Sequence, residues 1–110
     1  MSYYAVTRIA GPAWTNGKSA FEQPGASDHA VFMNALADEG IILFVGPLAG
    51  SEHGRIRVLM IAEAPGEADI TRRLADDPWE ITGRVVTAII EPWNLLVGAH
   101  QLTAAQAAAR

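Results

Sequence analysis

Cysteine is absent from this chain of 110 residues, which excludes disulfides, thiolate nucleophiles and cysteine-ligated metals. Histidine is scarce. The three present show neither a His-x-x-x-His nor a Glu-x-x-His spacing, so no metal and no other cofactor is expected. No Gly-x-Ser-x-Gly elbow occurs, and Gly46-Pro47-Leu48-Ala49-Gly50 lacks the Lys-Ser/Thr of a phosphate loop. Basic side chains are few and scattered: eight Lys and Arg stand against twelve Asp and Glu, for a net charge of −4. That balance argues against a nucleic-acid partner. No apolar run reaches membrane-spanning length, and the N-terminus lacks a basic flank followed by a long apolar stretch. A cytoplasmic protein with no membrane partner is the expectation.

What is present suffices for one core. Half of the residues are apolar, and the length suits a single domain. Residues 1–98 read as that domain, and residues 99–110 as an alanine-rich tail, frayed or unstructured. Tyr3 to Ile9 is a short β-prone run bounded by Gly11-Pro12. A long connection follows to Gly25, carrying the large apolar groups Trp14 and Phe21; connections of that length tend to be functional or mobile. Ser27 or Asp28 is expected to cap a helix that Gly40 stops. On its wheel His29, Phe32, Met33 and Leu36 share one side, with Asn34 and Asp38 opposite.

The apolar runs Ile41–Val45 and Ile56–Ala62 form a hairpin across a glycine-containing turn that includes His53. A second helix runs from Glu67 to about Asp76, with Ile70 and Leu74 as its apolar line and Pro78 as its stop. Gly83 to Trp93 is the last strand. The order β-α-β-β-α-β predicts an α+β, ferredoxin-like fold in which both helices cover one face of a four-stranded antiparallel sheet. Consecutive apolar residues in the middle strands call for burial on both faces. The chain has too little left to cover the second face, so a homodimer through the sheet face is expected.

This topology gathers the start of the first helix, the end of the second strand, the hairpin and the end of the second helix at one rim. His29, Gly46-Pro47, His53 and Asp77-Pro78 are the residues concerned, with Trp14 and Trp79 on the surrounding loops. A carboxylate at a helix C-terminus opposes the macrodipole by about 0.3–1 kcal/mol, so another group should hold Asp77 in place. If that group is His29, the carboxylate orients the ring and strengthens it as a base. Plainer readings stand beside this one. His29 also suits a core histidine bonded to a carbonyl, and Asp77 an Asx-Pro turn accepting from the Trp79 N–H. Gly46-Pro47 also suits a plain strand end, although glycine there permits close approach of a ligand. Trp14 and Trp79 also suit loop anchors, since large aromatics usually bury for packing.

His29 with Phe32-Met33 and Leu36, Glu39-Gly40, Gly46-Pro47, Asp77-Pro78 and Glu91-Pro92-Trp93, in this order and spacing, resembles the YCII-related family. Gly11-Pro12-Ala13-Trp14 looks like a branch of it with a longer first loop, and the likeness spans roughly Tyr3 to Gly98. The resemblance implies a dimeric α/β barrel, similar to muconolactone isomerase, with a His/Asp centre that maps onto His29 and Asp77. Most members have no assigned reaction; one branch eliminates chloride from a chlorinated hydroxyquinol ring. The implied activity is a cofactor-free lyase or isomerase step on a small aromatic or hydroxylated molecule. His29 would be the base, Asp77 its orienter, and Trp14, Phe32 and Trp79 the slot. Arg8, near the same end of the first strand, would attract an anionic group if its side chain reaches inward. The alternative is a non-catalytic dimeric module that binds a small ligand or assists a partner enzyme.

Overall fold

A computed structural model of the chain describes residues 1–51 and 55–102. Strands β1 (Ser2–Ala10), β2 (Ile42–Pro47), β3 (Arg57–Ala64) and β4 (Val85–Pro92) alternate with helices α1 (Ala26–Asp38), α2 (Glu67–Leu74) and α3 (Pro78–Ile81). The four strands form one sheet in the order β2-β3-β1-β4, with every neighbouring pair antiparallel. This is the α+β, ferredoxin-like arrangement that the element order predicts. His53 and most of the alanine-rich tail lie outside the described residues.

β1 shows how the sheet is built. Tyr4, Val6, Arg8 and Ala10 alternate with their neighbours and are all buried, so every second residue faces the helices. Val6 is opposite Met60 on β3 and Ile90 on β4, and the buried Ala62 and Ala64 follow Met60 at every second position of β3. Leu36 of α1 and Ile70 and Leu74 of α2 close over this face as the main core. A smaller cluster of Ala10, Trp14, Ile56, Trp79 and Val85 lies at the other end of the same face. The opposite face carries Ile9, Phe44, Leu59 and Ile89, which are 38–50% exposed.

Helix α1 begins one to two residues before the expected Ser27 or Asp28 cap. Gly25, at φ 76°, is the cap instead, and its carbonyl accepts from the His29 N–H at 3.0 Å. A left-handed turn comes without steric cost at glycine, and Gly25 lies directly over Trp79, whose indole would be 3.6 Å from an added Cβ. Asp28 then falls in the first turn, where its charge suits the positive helix end. Gly40 ends the helix in the left-handed conformation as expected.

The second correction concerns Pro78, which does not merely end the second helix. Helix α2 stops at Leu74, and Asp77-Pro78 opens α3, with Asp77 as N-cap and proline in the first turn. The Asp77 side chain accepts from the Trp79 N–H at 3.0 Å. Its charge is therefore at the favourable end of a helix and does not oppose a dipole. The Asx-Pro turn and the histidine contact described below coexist.

Candidate active site

His29 and Asp77, 48 residues apart, meet at the junction of α1 and α3. The ring Nδ1 lies 2.8 Å from Oδ1 and 2.9 Å from Oδ2 of Asp77. An ionised carboxylate only accepts, so the Nδ1 position carries the proton and neutral His29 keeps its lone pair on Nε2. Among the described residues, no group bonds Nε2. The ring also stacks on Trp79, with centroids 3.9 Å apart and planes 9° from parallel. Trp79 is held in turn by its Nε1–H donating to the Pro24 carbonyl at 2.9 Å. Two contacts of different kinds thus fix the imidazole.

Asp77 is fully buried and has three partners. Besides His29 and the Trp79 N–H, it accepts from Nη1 of Arg8 at 2.8 Å. Burial alone would push its carboxyl up; the hydrogen bond from His29, that from Trp79 and the Arg8 charge outweigh burial and hold it below the usual carboxylate range. Arg8 reaches inward, as its place on the Val6 face requires, and it is 2% exposed. Its second terminal nitrogen donates to Oε2 of Glu80 at 2.7 Å. Both terminal nitrogens therefore serve carboxylates, and among the described residues the buried Nε–H has no acceptor. One guanidinium against two carboxylates leaves a surplus negative charge; Arg8 lines the cavity, with both terminal nitrogens already engaged by Asp77 and Glu80.

Sequence reasoning missed Glu80. In Asp77-Pro78-Trp79-Glu80 it occupies the third helical position, from which a capping glutamate usually reaches back to the cap N–H. Here that N–H already bonds the Leu74 carbonyl, so Glu80 is free to bind Arg8 and to accept from Thr87 Oγ1 at 3.1 Å. A register shift helps: β1 pairs Thr7 with Ile89 but Arg8 with Thr87, bypassing Ala88. Bulges of this kind re-aim side chains beside functional sites.

A cavity of about 300 Å³ opens beside His29, between α1 and the helix-facing side of the sheet. His29, Arg8 and Trp79 line it, as do Gly46 and Pro47 at the end of β2. Its other walls include Met33, Val45, Val58 and Val85. On α1 the lining positions are 26, 29, 30, 33 and 34, one stripe at helical spacing. Alanine at 26 and 30 leaves the space that larger side chains would fill.

Two residues expected in the slot are elsewhere. Phe32 lies on the other side of His29 around the α1 wheel and packs against the main core. Trp14 is 5% exposed and meets Trp79 edge to face at 5.8 Å; it supports the wall from behind as a loop anchor. Among the described residues, no group of three His, Asp or Glu side chains is placed to hold a metal ion, and no helix is long and apolar enough to cross a membrane.

No protein-family model matches the chain, and no curated protein matches it. Among solved structures it is similar to 5-chloro-2-hydroxyhydroquinone dehydrochlorinase from Burkholderia phenoliruptrix AC1100 in complex with 2,5-dihydroxybenzoquinone. The TM-score is 0.59 over 89% of this chain and 97% of that one, at 16% sequence identity. At that identity the likeness establishes a shared fold.

Proposed function

We propose that this chain is a YCII-related enzyme that carries out a cofactor-free lyase or isomerase step on a small aromatic or hydroxylated molecule. The observation that carries the reading is the Asp77-bound imidazole of His29, whose Nε2 has no partner among the described residues, at the wall of an apolar cavity. In this reading Nε2 takes the proton of an acidic O–H or C–H on the substrate. The electron pair left behind becomes a carbonyl C=O bond, the ring π pair it displaces takes the proton back from the imidazolium at a ring carbon, and isomerisation ends there. Where that carbon carries a leaving group, Nε2 takes a second O–H proton, a second C=O bond forms and the leaving group departs from the now tetrahedral carbon with its bonding pair. Asp77 holds the ring in one tautomer, and the negative surplus of the Arg8–Asp77–Glu80 cluster offsets the imidazolium charge as it forms. Gly46, Pro47 and Trp79 would contact the substrate, whereas Arg8 acts by positioning Asp77.

The shared fold with a dehydrochlorinase and the residues that resemble the YCII-related family support the same choice. We assign the catalytic unit to residues 1–98 and propose that it works as a homodimer. Ile9, Phe44, Leu59 and Ile89 on the open sheet face form an apolar surface of the kind that a second copy would cover.

The test is chloride release from 5-chloro-2-hydroxyhydroquinone by the wild type and by His29→Ala. The wild type should turn over, and the variant should lose roughly 10²–10⁴-fold in kcat. The variant should remain folded, at a stability cost of about 1–3 kcal/mol for the lost stacking and hydrogen bond. Turnover that survives the substitution would refute the role of His29. Ring binding without any turnover by the wild type would favour a non-catalytic ligand-binding module.

A further inference from the structure

Phe21 is 94% exposed, yet it lines the cavity beside His29. It belongs to the one-turn 3-10 segment Ala20–Glu22 of the long first connection, and that connection is firmly tied down. Gln23, 3% exposed, accepts from the Thr15 N–H at 2.9 Å through Oε1 and donates through Nε2 to the carbonyls of Thr15 at 2.9 Å and Lys18 at 3.2 Å. Glu22 accepts from the Ser19 N–H at 3.2 Å. The Pro24 carbonyl is bonded by Trp79, and Trp14 is packed in the smaller core cluster. Both flanks of Phe21 are thus anchored while its ring stands in water at the cavity mouth. The free protein gains nothing from placing a phenyl group there, but a ligand in the cavity would.

Trp79, already stacked on His29, also lines the cavity, with Val58 and Val85 of the sheet. A flat ring lying on these walls would leave one face toward the mouth. The volume of about 300 Å³ is at the small end for ligand sites and suits one six-membered ring. We propose that Phe21 is a specificity-determining residue that closes over a bound planar ring, so that the site takes aromatic or quinonoid rings in preference to saturated hydroxy compounds of the same size. Aromatic pairs contribute beyond the area they bury, and a saturated ring forgoes that part. This rests on the ligand site proposed above.

Calorimetric titration of the wild type and Phe21→Ala with 2,5-dihydroxybenzoquinone and with cyclohexane-1,4-diol tests it. The wild type should bind the quinone well and the diol weakly. Phe21→Ala should bind the quinone roughly tenfold more weakly, with little change for the diol. The Tm should not move, because the exposed ring makes no core contact. Equal quinone affinity in variant and wild type would overturn the proposal, as would equal losses for both ligands or a wild type that binds neither. Failure of the acid–base reading is distinguishable: it appears as turnover in His29→Ala, with the Phe21 binding difference intact.

Discussion

Replacing Asp77 by Asn puts the buried pair to its sharpest test. The side chain is 0% exposed and accepts from Arg8 at 2.8 Å, from His29 at 2.8 and 2.9 Å, and from the Trp79 N–H at 3.0 Å. Asparagine matches the size but has one carbonyl oxygen, and its amide NH₂ must face a donor on Arg8 or His29. Removing one partner of a buried ion pair costs roughly 3–5 kcal/mol. Glu80 still neutralises Arg8 at 2.7 Å, which puts the expectation at the low end, about 3 kcal/mol. In a domain of this size that lowers the Tm by roughly 12–24 °C.

The pH dependence has a definite sign. The folded-state carboxyl of Asp77 is held below its ordinary value, so its stabilising contribution is complete above the unfolded value of about 4. It is lost as pH falls through the lower folded value. Urea unfolding should therefore show the full gap between wild type and Asp77→Asn at pH 7, and a narrowing gap below about pH 4. Turnover should fall by roughly 10²–10⁴-fold, because an amide that donates to Nδ1 moves the ring proton to Nε2 and removes the base. A gap under about 1 kcal/mol at pH 7, or one of equal size in acid, would refute this account of the pair.

Two further substitutions address the cavity and the open face. Ala30 lines the cavity from α1, and leucine there adds three carbons to the space at little cost in helix propensity; Ala30→Leu should weaken 2,5-dihydroxybenzoquinone binding at least about tenfold with the Tm retained, and unchanged affinity by calorimetry would place the ligand elsewhere. Leu59, 39% exposed on the face away from the helices, should be buried between copies; Leu59→Glu is expected to give a folded monomer by light scattering where the wild type is a dimer, and a monomeric wild type would remove the proposed assembly.

The order of the four strands and the two longer helices follows from the sequence because it rests on short-range periodicity. Alternation sets the faces of a strand, and spacing of three to four sets those of a helix. The same spacing put His29 in the first turn of α1, and the element order put Asp77 near it. Sequence reasoning missed the start of α3, because Asp77-Pro78 reads as the stop of the second helix although a cap followed by proline also opens one. Other features were decided only by tertiary packing. Arg8 finds Asp77 and Glu80 across 69 and 72 residues, and a register shift at Thr7/Arg8 brings Thr87 to the same group. Whether Trp14 lines the site or supports it from behind depends on how the loop folds back over Trp79. The cavity itself is the clearest case. It exists because two alanines of α1 face valines contributed by three different strands, and a space left between elements is encoded in none of them separately.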